Sequence, residues 1–245
     1  MDTITQYTLT GKQVIILGGS TGLGLATAKA AATAGASVII VSGNQHNIDK
    51  ALKELPANSK GFAIDLRREE NIKAFFEQTG EFDHLVYTAG ENLGLTRLQK
   101  LDIDQAKDFF TLRYWSVLAA IKHGASKIRP GGSIGLTSGI ASQRPGAGWF
   151  IAASLCGAME ACGRAMAVEL APIRVNVVMP GVIKTNLWNS MSEADRNNLY
   201  KTVGDSLLVK RVGEAEEIAQ TFIFLMLQQF ATGQTFIIDG GTVLV

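Results

Sequence analysis

Val14-Ile15-Ile16-Leu17-Gly18-Gly19-Ser20-Thr21-Gly22-Leu23-Gly24 is the stretch that sets the fold. Four apolar residues run without a polar interruption, and a strand apolar on both faces belongs in a parallel sheet covered by helices above and below. The glycines that follow let the chain turn tightly. They also let a phosphate approach backbone N–H groups at the positive end of the next helix. Taken alone, such a loop is also what any tight strand-to-helix turn requires. Its place after the first apolar strand, opening a helix that runs to about Ala34, favours dinucleotide binding. The spacing differs from the G-x-G-x-x-G of the wider dinucleotide-binding group.

Further apolar runs continue the series: Ser37 to Val41, Leu85 to Tyr87, Ser133 to Leu136, Arg174 to Val178 and Thr235 to Ile238. Alternation with helical periods implies right-handed crossovers and a doubly wound α/β fold with a Rossmann-type parallel sheet. With 245 residues, no repeat and no Pro/Gly/Ser-rich linker, one domain over 1–245 is expected. A net charge of +1 gives no reason to expect nucleic acid or a membrane surface as partner. Residues 1–6 lack a basic flank and an apolar run, and no apolar stretch approaches the ~20 residues of a span. A cytoplasmic protein is the expectation. Cys156 and Cys162, six residues apart in one helix, point about 120° apart and are read as buried thiols. His46, His84 and His123 are too scattered for a metal site.

Several motifs then fall in order. The loop Gly18, Gly22, Gly24 resembles the T-G-x-x-x-G-x-G of the short-chain dehydrogenase/reductase family, with Leu17 in place of threonine. Asp65-Leu66 resembles its adenine-capping pair, and Thr88-Ala89-Gly90 its N-A-G with threonine for asparagine. Ser138 matches the catalytic serine. Pro180-Gly181-Val182-Ile183-Lys184-Thr185 matches the P-G-x-x-x-T that embraces the nicotinamide amide. Thr232 to Gly241 looks like the closing strand, so the likeness runs from about Gly11 to Val245. It implies a cofactor site built from Gly18, Ser20, Thr21, Gly22, Leu23 and Gly24, with Asp65, Leu66, Thr88, Ala89, Gly90, Pro180, Gly181, Ile183 and Thr185.

The departures fall on the chemistry. Thirteen residues after Ser138, where the family has its proton-donating tyrosine, stands Ile151. Four further on, where lysine tunes that tyrosine and holds the ribose, stands Leu155. The asparagine that supports the lysine aligns with Arg113. None of the four tyrosines, Tyr7, Tyr87, Tyr114 and Tyr200, has lysine four or seven residues on, so an alignment slip does not rescue the pair. Two accounts stay open. In one, the site has decayed to helix packing around a surviving scaffold. In the other, the proton relay is rebuilt: Arg113 supplies positive charge, Ser138 binds a substrate oxygen, and Tyr114 or a water gives the proton. Arginine itself cannot, since its pKa exceeds ~12.

The end of the second strand, Val41-Ser42-Gly43-Asn44, carries no carboxylate to bind a ribose 2′-OH. Ser42 and Asn44 can hydrogen-bond a 2′-phosphate instead, which favours NADP(H) over NAD(H). The small-molecule substrate is unspecified. Trp149, Trp188, Met191 and Tyr200 either line an apolar pocket under a lid or pack the lid itself. By the resemblance, Leu112 to Ile121 and Ala152 to Ala167 pair subunits in a homodimer or homotetramer. The stripe Ala153, Gly157, Ala161, Ala165 would permit close helix approach there, or pack within the chain.

Overall fold

The computed structural model describes residues 8–93 and 95–245; the readings of residues 1–6 and of Tyr7 fall outside them. Nine strands occur among the described residues: β1 Gln13–Leu17, β2 Ser37–Ser42, β3 Lys60–Ala63, β4 Phe82–Tyr87, β5 Ile128–Thr137, β6 Arg174–Pro180, β7 Ile183–Lys184, β8 Gly213–Glu214 and β9 Thr235–Ile238. Eight α-helices alternate with them: α1 Gly22–Thr33, α2 Gln45–Leu52, α3 Glu69–Gln78, α4 Ile103–Phe110, α5 Ser116–Gly124, α6 Phe150–Glu169, α7 Glu193–Ser206 and α8 Ala215–Leu227.

Seven strands form one parallel sheet in the order β3-β2-β1-β4-β5-β6-β9. This is the doubly wound fold expected from the apolar runs. Two apolar cores, one on each face, explain why β1, β4 and β6 carry no alternation. Ile15 and Leu17 join Phe76, Phe82 and Val117 on one face, while Val14 and Ile16 join Ala28, Ile218 and Phe222 on the other. The chain leaves β1 for β2 on one side and returns to β4 on the other. Their carboxyl ends therefore flank the crevice where open α/β sheets bind ligands.

One strand lies outside the series of apolar runs, and one expectation needs correction. The strand β3 carries no apolar run: Lys60, Phe62 and Ala63 are exposed because β3 lies at the sheet edge, so its sequence gives no core signal. The helix α6 does reach membrane-span length, with 20 residues and a mean hydropathy of 1.2. Here it lies against the sheet, with Gly163 so close to Val177 that an added Cβ would fall 2.3 Å from its Cγ2. Cys156 and Cys162 are free and buried.

Candidate functional site

A cavity of about 920 Å³ opens along the carboxyl ends of the strands. That is the upper end of the ~300–1,000 Å³ typical of small-molecule and cofactor sites.

At its floor the β1–α1 loop interlocks with the segment after β4. Gly18 has φ +92°, and a Cβ there would fall 2.4 Å from the Ala89 nitrogen. A Cβ on Gly24 would fall 2.1 Å from the Gly18 carbonyl oxygen. The Thr88 N–H donates to the Leu17 carbonyl at 2.8 Å, and its hydroxyl lies 3.3 Å from the Leu17 and Gly18 carbonyls. The two segments are thus one unit, and any side chain at Gly18 or Gly24 would break it. Helix α1 begins with no side-chain cap and no acid in its first turn, leaving its leading N–H groups to accept an anion.

Of the expected cofactor residues, Gly18, Ser20, Thr21, Gly22, Leu23, Ser42, Asp65, Leu66, Thr88, Ala89, Gly90, Pro180, Gly181, Ile183 and Thr185 line this cavity. Two do not. Gly24 is buried behind the loop, and its part is steric. Asn44 caps α2, its side-chain oxygen accepting from the Asn47 N–H at 3.1 Å, and Asn47 lines the cavity instead. A cap residue lying two steps past a strand looks in sequence like a ligand.

Arg113 sits in a π turn, Thr111–Trp115, between α4 and α5. Such turns widen the helix, free carbonyls and occur often at functional sites. Here side chains take up those carbonyls: the Tyr87 hydroxyl donates to Leu112 O at 2.6 Å, and the Ser116 hydroxyl to Thr111 O at 2.8 Å. The guanidinium is turned inward over the Phe109 ring, 4.7 Å from its centroid, and lines the cavity. It lies so near Gly90 that a Cβ there would fall 2.6 Å from Nη1. Its Nη2 donates to the Glu91 carbonyl, while its buried Nε has no partner. Burial lowers the Arg113 pKa, and Glu91 opposes the shift.

Ser138 also lines the cavity, its hydroxyl donating to the Cys156 carbonyl at 3.1 Å. Tyr114 is a correction. It is not a cavity residue: its ring meets Trp115 edge-on at 5.1 Å and packs on the core beneath the sheet. Adjacent helix positions diverge by about 100°, so a cavity-facing Arg113 turns Tyr114 away. The α6 stripe facing the cavity is Ala152, Leu155, Cys156 and Met159. Leu155 therefore looks into the site and Ile151 does not. Burial pushes the Cys156 thiol up, keeping it protonated. Trp149 and Trp188 line the cavity, the latter anchored by its indole N–H on Ile183 O at 3.0 Å. Met191 and Tyr200 do not line it.

Sequence reading passed over Arg67, Asn92, Arg144, Ala152, Cys156 and Met159 as cavity residues. Helical spacing would have found the last three, since Ala152, Leu155, Cys156 and Met159 stand at i, i+3, i+4 and i+7.

Residues 18–243 match the family model described as enoyl-(acyl carrier protein) reductase. The chain belongs to the short-chain dehydrogenase/reductase family. It is 34% identical to the short-chain dehydrogenase/reductase ATR9 of Stachybotrys chlorohalonatus, over 97% of this chain and 99% of that one. Among solved structures, a small-chain dehydrogenase in complex with NADPH is 33% identical, with TM-score 0.85, over 96% of this chain and 99% of that one. The MalC reductase/Diels-Alderase of Malbranchea aurantiaca is 25% identical, with TM-score 0.91, over 98% and 99%.

Proposed function

We propose that this protein is an NADP(H)-dependent carbonyl-type oxidoreductase whose proton relay is built around Ser138 and Arg113 in place of the tyrosine–lysine pair. The observation that carries the reading is the inward Arg113 guanidinium, held against Gly90 with an unpartnered Nε. A decayed site has no need of a buried cation in this volume, and leaving a charged group's donor unpaired is costly.

The residues fit a dinucleotide. The start of α1 and the Gly18–Gly22 turn suit a pyrophosphate, and Ser42 with Asn47 supplies neutral hydrogen-bonding groups where a carboxylate would repel a 2′-phosphate. The relative in complex with NADPH supports the same choice. When bound, such a cofactor supplies a hydride to an electrophilic carbon. Arg113 stabilises negative charge developing on the substrate oxygen or holds the ribose. Ser138 releases Cys156 O to bind that oxygen, and water at Ser138 gives the proton. General acid catalysis is worth ~10²–10⁴-fold, so positioning alone sustains a slow enzyme.

A second reading, a non-catalytic NADPH-binding sensor or partner subunit, draws support from the Ser138 hydroxyl already spent on Cys156 O and from the wholly apolar and thiol stripe of α6. Turnover separates the two. NADPH oxidation across a panel of ketones and aldehydes is expected from the wild type and lost in Gly22→Asp, which sets a carboxylate against the pyrophosphate. Tight NADPH binding with no turnover of any carbonyl compound favours the sensor. The chain is further proposed to self-associate through α5 and α6. Three of the four small residues of the α6 stripe support this, since Ala161 and Ala165 are exposed and Gly157 has open space around it, while Ala153 packs against the cluster of Ala141, Ala152 and Cys156.

A further inference from the structure

Five charged side chains line the cavity: Asp65, Arg67, Glu91, Arg113 and Arg144. Their distribution is uneven. Asp65 follows β3 at the far edge of the sheet, and its carboxylate is engaged by the Arg67 N–H at 3.0 Å. Glu91 is paired with Arg67. Among the remaining charged side chains, past β4 toward β5 and β6, there are two cations and no carboxylate side chain, and Val245 lines the cavity as well. Arg113 lies deep with its Nε unpartnered. Arg144 lies at the rim, exposed, and its side chain has no ion pair or hydrogen bond among the described residues.

Arg144 is not on a loose loop. Its N–H donates to Ile140 O at 2.8 Å, Ser142 is hydrogen-bonded to Glu160 on α6, and Gly148 O accepts from the Thr96 N–H at 3.2 Å. The 139–148 segment is thereby tied to α6 on one side and to the 95–97 segment on the other. Its backbone at Arg144 is thereby held at the cavity rim, two residues from Gly146, against which the Trp149 indole sits. Below this rim the walls turn apolar at Leu93, Ala152, Leu155 and Met159.

We propose that the substrate is an apolar carbonyl compound bearing a carboxylate, with the carbonyl oxygen at Arg113 and the carboxylate at Arg144. This rests on the oxidoreductase reading above and adds the substrate class. The apolar walls take the body of the molecule. A guanidinium fork matches a carboxylate in two parallel hydrogen bonds, which neither an amide nor an ester returns.

The test uses aryl keto acids with one to four methylenes between carbonyl and carboxylate, and the matching primary amides. Binding to the full chain is followed by calorimetry with and without NADPH. For the best-fitting length, the acid should bind about tenfold to hundredfold tighter than its amide. Arg144→Ala should erase most of that preference by weakening the acid far more than the amide. Arg144→Lys should keep part of it, and Arg144→Glu should reverse it. Equal affinity for acid and amide in the wild type, or a preference that survives Arg144→Ala, overturns the proposal, as does failure of every acid to bind. If NADPH fails to bind while the Arg144-dependent acid preference persists, the cofactor reading fails and the carboxylate site stands.

Discussion

A cation held where asparagine supports lysine in relatives changes what its neighbours can be. Lysine at position 155 would look into the same cavity as the Arg113 guanidinium, so the two cations would repel in a partly desolvated space. Installing Ile151→Tyr and Leu155→Lys is therefore expected to lower NADPH affinity and yield little turnover. Adding Arg113→Asn to the pair should recover NADPH affinity, as read by titration; a double variant that binds NADPH as tightly as the wild type would show that Arg113 does not occupy the lysine's volume. Tyr87 gives a second prediction. Its hydroxyl is the partner of the Leu112 carbonyl in the π turn that aims Arg113. Tyr87→Phe leaves that carbonyl buried and unpaired, at a cost of about 1–3 kcal/mol in unfolding free energy. If the turn sets Arg113, NADPH affinity should fall as well, whereas a purely structural role would move the melting temperature alone.

Among the elements, the β1–α1 turn and the end of β2 carry the cofactor predictions. Gly22 has φ +51°, and a Cβ there would make only ordinary contact, 3.5 Å from Thr185 Cβ, so an aspartate adds both backbone strain and negative charge beside the α1 N-terminus. The melting-temperature rise that NADPH gives the wild type should vanish in Gly22→Asp, and a retained rise would put the site elsewhere. Ser42→Asp should turn preference from NADPH toward NADH. These elements were legible because their physics is local: glycine spacing, an apolar strand and a missing carboxylate are all written in consecutive residues. Asn44 and Tyr114 misled for the same reason, since proximity in sequence stood in for direction. Asn44 is used up by the cap of α2, and Tyr114 is turned beneath the sheet by one helical step. The edge strand β3, the π turn and the rim cation Arg144 depend on contacts far along the chain, and no window of sequence holds them.

The sheet as a whole buries several titratable groups outside the cavity, Asp83, His84 and Arg174 among them. His84, on β4 and hydrogen-bonded to Ser133 at 2.9 Å, has its pKa lowered to about 4, chiefly by burial, with the neighbouring Asp83 opposing. The unfolded chain, with histidine near ~6.5, binds more protons than the folded one between these values, so stability falls as pH drops through that window. Melting temperature should decline from about pH 6.5 toward pH 4, and His84→Asn should flatten that slope; an unchanged slope would assign it to carboxylates. Self-association through α5 and α6 is expected to weaken in Trp115→Glu, which charges a ring exposed on that face, as read by sedimentation. The proposed activity depends on the cavity holding NADP(H) against Arg113. Equilibrium titration of wild type and Arg113→Ala with NADPH and NADH tests it most directly. Saturable NADPH binding is expected, with NADH no tighter and a loss of about tenfold or more in the alanine variant. No NADPH binding by the wild type, or an alanine variant that binds it equally well, would contradict the account.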